Sequence, residues 1–194
     1  GVGSTNVTVT ARDAFSNPIA GATVVIAATG SDNTITQPGV TAANGATVGA
    51  FSSTTSELKT LSATINGVTI TQTVNVNVVP DAVSASQSTV VADPTSIVAR
   101  SGSSTITVTA RDANGNPVPG VSVTLQSASG DVTFTQPAAN TDANGVATGT
   151  VEGTLVGSKT ITALLNGVPA TQTTAVTVTP AAVDAGTSTF TAST

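Results

Sequence analysis

The sequence predicts an all-β fold of tandem antiparallel β-sandwiches, and three observations carry that prediction. The chain repeats itself: VTVTARDAFSNPIAGATV at 7–24 returns as ITVTARDANGNPVPGVSV at 106–123, identical at eleven of eighteen positions. Apolar and polar residues alternate with period two along most of its length, the signature of strands with one buried face. The alternating runs are short and broken by turn signals at intervals of roughly 8–12 residues, giving about seven strands per repeat. No segment shows the spacing of an amphipathic helix.

Taken in order, the elements of the two copies match face for face. In 7–11 the residues Val7, Val9 and Ala11 share one face, as do Ile106, Val108 and Ala110 in the second copy. The runs 22–28 and 121–127 place Ala22, Val24, Ile26 and Val121, Val123, Leu125 together. Further on, Leu61, Ala63, Ile65 correspond to Ile161, Ala163, Leu165, and Val76, Val78 to Val176, Val178. Phe51 stands where the second copy has Val151. The opposite register would bury Thr and Ser hydroxyls at a cost, so these faces are expected to form the cores. Asn17-Pro18 and Asn116-Pro117, followed by Gly21 and Gly120, mark turns into the next strand. Asn44-Gly45, Asn66-Gly67, Asn144-Gly145 and Asn166-Gly167 are expected to be type I′ hairpin turns, whose two central residues need positive φ.

Composition narrows the function. Only 8% of residues are charged and 2% aromatic, the net charge is −5, and the chain has no Cys, His, Met, Trp or Tyr. Disulfides, a thiolate nucleophile and an imidazole base are therefore excluded, as are the usual zinc and copper ligands. No side chain has an ordinary pKa between roughly 5 and 10. Five Lys and Arg in 194 residues leave no electrostatic footprint for nucleic acid. No run approaches the ~18 apolar residues of a membrane span, and β-branched residues are too abundant for a disordered chain. No signal-peptide pattern opens the sequence, so a targeting segment is expected outside it.

The repeat is out of phase with the chain. The offset is 99 residues near the start and 100 after residue 40. The stretch 82–100, AVSASQSTVVADPTSIVAR, has no counterpart before the first copy, whereas 182–194, AVDAGTSTFTAST, aligns with 82–94. The expected organisation is a domain at 1–80 lacking its first strand, a complete domain at 81–180, and at 181–194 the first strand of a following repeat. A proline at 80 and another at 180 make the joints short and stiff. One reading of the ends is a window of a longer array. The other makes Ser188, Phe190 and Ala192 a donor strand that completes the first domain of a neighbouring molecule.

Individual motifs argue for scaffolding. Asp112-Ala-Asn114-Gly-Asn116 resembles the start of a calcium loop, but Pro117 and Val123 stand where Gly and a bidentate Glu are required, and Phe15 replaces Asn114 in the first copy. Asp13 and Asp112 are expected to cap the following turn, and Arg12 and Arg111 to lie over the sheet or at a domain junction. The ten acids are scattered singly, no Ser or Thr sits in an activating setting, and Asn6-Val7-Thr8 is one chance glycosylation pattern. No catalytic residue, cofactor or metal site is expected.

Four segments, 88–102, 108–125, 141–151 and 159–173, resemble the bacterial immunoglobulin-like group 1 (Big-1) repeat of the invasin and intimin family of surface adhesins. Their most specific parts are VTARDANGNPVPGVSVTL and TDANGVATGTV. The resemblance implies immunoglobulin-like sandwiches stacked as a stalk on a bacterial surface, extracellular and non-enzymatic, whose partners are neighbouring repeats. In that family receptor binding belongs to a distinct tip domain, which has no equivalent here. Expected functions are thus a structural spacer or, alternatively, a self-assembling filament subunit that uses the spare strand. A glycan- or receptor-binding module ranks last, for want of an aromatic platform.

Overall fold

The computed structural model describes residues 3–192, and the chain divides into two compact units, residues 1–81 and 82–194. All regular structure among the described residues is β. Unit 1 holds β1 (Thr5–Thr10), β2 (Val24–Ala28), β3 (Asn33–Thr36), β4 (Ala46–Ser53), β5 (Leu58–Ile65), β6 (Val68–Thr69) and β7 (Val74–Asn77). Unit 2 holds β8 (Thr89–Asp93), β9 (Ser96–Val98), β10 (Ser103–Thr109), β11 (Val123–Gln126), β12 (Val132–Thr135), β13 (Val146–Gly153), β14 (Gly157–Leu165), β15 (Val168–Pro169) and β16 (Thr174–Thr179).

Two sheets face each other in unit 2, ordered β12-β13-β10-β8 and β11-β14-β16-β9. The opening segment of the unit contributes to both. β8 pairs antiparallel with β10, Val90 opposite Val108 and Ala92 opposite Ile106. The chain then crosses to the other sheet, where β9 runs parallel to β16 with Ile97 opposite Val178. Unit 1 has the corresponding sheets without that segment: β1-β4-β3 in one, and β2, β5, β6 and β7 in the other. Among the described residues the margins without that cover are therefore β1 and β7.

The alternating faces go where their period directs them. Ile106, Val108, Ile161, Ala163 and Leu165 are fully or almost fully buried, and Phe51 and Val151 occupy the same core position in their units. Burial is incomplete in unit 1 at the residues the opening segment would cover. Val7, Ile65, Val76 and Val78 are only half-buried, whereas Ile106, Leu165, Val176 and Val178 are buried. The inward pattern is thus the same in both copies, but one layer of cover differs.

Two of the four Asn-Gly pairs form the expected turn. Asn66 and Gly67 have φ of 51° and 80°, Asn166 and Gly167 49° and 85°, and each pair closes a two-residue hairpin between adjacent strands. The other two do not. At 44–45 and 144–145 only the glycine has positive φ, and Gly45 N–H donates to Ala42 O at 2.8 Å, as Gly145 does to Asp142 O at 2.9 Å. These close a turn within the loop, because the long 37–45 connection must first cross from β3 before β4 begins.

Because unit 1 buries less of its core, urea is expected to unfold the chain in two steps, unit 1 first. Phe51→Ala should lower the early transition and Ile161→Ala the late one, each by about 2–5 kcal/mol. A single transition moved equally by both substitutions would contradict this.

Candidate functional site

Three sets of polar residues hold fixed places in both units. The first is the loop after β1 and β10. Asp112 is fully buried; its Oδ1 accepts from the backbone N–H groups of Asn114 and Asn116, both at 2.9 Å, and its Oδ2 accepts from Asn116 Nδ2 at 2.8 Å. Asp13 does the same with Phe15 and Asn17, and those bonds hold its carboxyl below the usual range, the Asn17 side chain contributing most. The arginines differ from the expectation. Arg12 donates to Ser16 O and Arg111 to Gly115 O, both at 2.7 Å, so each clamps the loop that its neighbouring Asp caps. Adjacent side chains point to opposite sides of the strand, which lets the pair grip the loop from both.

The second set is a lysine at the end of each core. Lys59 shares the inward face of β5 with Leu61 and Ala63, and is completely buried. Its Nζ donates to Ser31 O at 2.7 Å and pairs with Glu57. Lys159 is buried at the matching place in β14 and pairs with Asp131. The hydrogen bond from the lysine is the main cause of the lowered pKa of both acids. Period-two counting could have placed the lysines inward; treating charge as a surface signal hid them.

The third set is Gln37 and Gln136. Gln37 accepts from Ile26 N and donates to Ile26 O, both at 2.7 Å, and Gln136 treats Leu125 in the same way at 2.7 and 2.8 Å. Each amide occupies the free margin of β2 or β11 as a neighbouring strand would, and so blocks further pairing there. The repeated Thr-Gln-Pro triplet at 36–38 and 135–137 signalled this, although the sequence alone gave it no role.

Among the described residues β1 and β7 have no such plug, and unit 1 is grooved along them. One groove, of about 200 Å³, is lined by Val7, Val9, Leu61, Ala63, Ile70 and Val74. The other, of about 220 Å³, is lined by Gly3, Phe51, Val76 and Val78 among others. These are the places that β8 and β9 occupy in unit 2. Glycine spacing agrees: a Cβ on Gly102 would meet Val98 N at 2.8 Å, whereas one on the matching Gly3 would meet nothing within 4 Å.

The candidate donor residues lie apart from any strand. Ser188 Oγ and N both bond to Asp184 O, at 2.6 and 3.1 Å, closing a turn, while Phe190 is fully exposed and Ala192 exposed. No strand is formed among the described residues after Thr179. The segment carries a strand's alternation but has no sheet beside it. Among the described residues no group of three or more acidic, His or Cys side chains could hold a metal, and no helix is long and apolar enough to cross a membrane.

Family models match both units: "Invasin, domain 3" over residues 84–181 and "Bacterial Ig-like domain (group 1)" over 1–79. The chain belongs to the Big-1 repeats of the invasin/intimin family. The inverse autotransporter adhesin YeeJ of Escherichia coli K12 is 38% identical over 100 residues, which is 51% of this chain and 4% of that protein. The structure of Yersinia pseudotuberculosis InvD superposes with a TM-score of 0.66 at 29% identity, covering 96% of this chain and 55% of that one. Invasin, described as a bacterial integrin-binding protein, gives a TM-score of 0.52 at 25% identity, over 95% of this chain and 41% of that one. This Big-1 pair thus spans only a small part of YeeJ and about half of InvD.

Two measurements test the polar scaffold. Asp112→Ala strips three donors, two of them on buried Asn116, of their acceptor and should lower the stability of unit 2 by roughly 2–3 kcal/mol. The lowered carboxylates of Asp13, Glu57 and Asp131 give stability that is fully present above their unfolded values. Urea midpoints should accordingly stay level from about pH 7 to 5 and fall as pH drops below the ordinary range of about 4. A decline already evident between pH 7 and 5 would require a different titrating group.

Proposed function

We propose that this chain is a spacer segment of a bacterial cell-surface adhesin, holding a distal binding domain away from the cell. One observation carries the reading: the polar groups that a catalytic or ligand-binding centre would need are consumed by the scaffold. Asp13 and Asp112 cap loops, Arg12 and Arg111 clamp them, and Lys59 and Lys159 are sealed into the ends of the cores. The same uses recur in both units, as expected of a part that is copied for length. The adhesin relatives support a surface location, and the integrin-binding property printed for invasin stays with that protein.

A second reading is a self-assembling extracellular filament subunit, in which 182–194 of one molecule completes unit 1 of its neighbour. The two grooves at β1 and β7 favour it.

Small-angle scattering at low concentration tests the spacer. An extended profile with little bending between units is expected, together with no binding in a glycan array or a cell-adhesion assay. A freely flexing pair of beads, or saturable adhesion by this fragment, would overturn it.

A further inference from the structure

We propose that β8 of unit 2 is a docking edge for β8 of a second copy, the two strands pairing antiparallel about a two-fold axis at Val91. The contact is lateral, lies wholly within unit 2, and stands whether or not the chain is a spacer.

β8 covers the margin of β10 and becomes the margin of its sheet in turn. The ladder decides which of its backbone groups face outward. Ala110 N–H donates to Gly145 O at 2.8 Å, so β10 turns its even-numbered residues to β13 and its odd-numbered ones to β8. Arg111 N–H, on the β8 side, agrees, donating to Ser88 Oγ at 3.0 Å. β8 therefore gives Thr89, Val91 and Asp93 to β10. The N–H and C=O groups of Val90 and Ala92 point away from β10, and among the described residues nothing pairs with them.

The other margins of unit 2 are managed. Gln136 occupies that of β11, β12 is four residues long with Pro137 soon after it, and on β9 the Val98 carbonyl accepts from Gly102 N–H at 2.9 Å. β8 has no such device. No lysine or proline interrupts 89–93, the register with β10 is unbroken, and Val91 at the centre is 55% exposed.

The positions of the free groups select a second copy as the occupant. Two β8 strands with Val90 opposite Ala92 bring all four free N–H groups onto the four free carbonyls. Val91 then faces its own copy across the axis, at a non-hydrogen-bonded position where side chains approach closely. Asp93, the one charge in the strand, meets Thr89 rather than a second acid. The register is bounded on both sides. A slip of two residues sets the Ala92 carbonyl against Ser88, whose N–H is held by Ser84 O at 3.1 Å, or the Val90 carbonyl against Pro94, which has no N–H. A five-residue strand pair buries less than the roughly 1,600 Å² of a standard interface, so the dimer is weak and reversible. A two-fold contact is also closed, so association stops at two.

The test uses the 194-residue chain in sedimentation velocity over a concentration series, where a reversible monomer–dimer equilibrium is expected. Val91→Lys sets like charges against each other at the axis and should weaken dimerisation by roughly tenfold or more. The unfolding transitions should stay in place, because this side chain lies on the outer face. Mixing Val91→Lys with Val91→Glu should restore association between the two variants. The chain has no native cysteine, so the register can be trapped under a glutathione redox couple. Val91→Cys should form covalent dimers roughly tenfold faster than Val25→Cys on β2, which is similarly exposed. A concentration-independent monomer overturns the inference, as does equal trapping at the two positions or a Lys–Glu mixture that stays monomeric. Association that grows beyond two and ignores Val91→Lys overturns it in favour of the filament subunit.

Discussion

A two-sheet sandwich has four margins, and each exposes a row of backbone N–H and C=O groups that must be paired or kept from pairing wrongly. Much else in this chain follows from how those margins are managed. At β2 and β11 a glutamine side chain substitutes for a strand, bonding both backbone groups of Ile26 or Leu125. The margins at β3 and β12 are four residues long and are followed two residues later by proline. At β10 and β16 the opening segment of unit 2 divides itself between the sheets, so one piece of chain closes two margins. That same piece buries Val90, Ala92 and Ile97, which joins edge closure to core completion.

The cores themselves are built from small aliphatic side chains, with Phe51 the one aromatic buried among the described residues. Such cores have little volume to spare, so the loops and ends are held by polar contacts. Burying a lysine is costly unless it is paired and bonded. Lys59 meets that condition with Glu57 and a carbonyl, and Lys159 with Asp131. The acid partner comes from a different element in each unit, although the lysine keeps its place. The demand is for a nearby anion at the core's end, and either source satisfies it.

How far the sequence spoke depended on whether a feature was local. Period-two alternation located the inward faces, because a side chain's face is set by its own place in the strand. Asn66-Gly67 and Asn166-Gly167 were legible because a two-residue hairpin is decided by its own φ values. Asn44-Gly45 and Asn144-Gly145 misled, since the same dipeptide also suits a turn set by the loop around it. The caps at Asp13 and Asp112 could be read for the same local reason, whereas the carbonyls taken by the arginines could not. The glutamine plugs, the Ser31 carbonyl on Lys59 and the Asp131 partner of Lys159 involve groups 11 to 28 residues away, which no short-range pattern announces, whereas Glu57 lies only two residues from Lys59. The grooves were implied by comparing the ends of the repeat, but that the tail forms a turn and then no strand follows only from its lack of a sheet to join.

The parallel pair of β9 and β16 has a mechanical side. β9 lies near the entry of unit 2 and β16 near its exit, and the two run in the same direction. A pull on both ends of the unit therefore drags these strands past each other along their length. The rungs at 96–98 and 177–179 are stressed together in shear, where an antiparallel hairpin would unzip one bond at a time. Among the described residues β7 of unit 1 pairs with β5 alone. Within unit 2 this clasp is thus the element that bears tension along its length, rather than rung by rung.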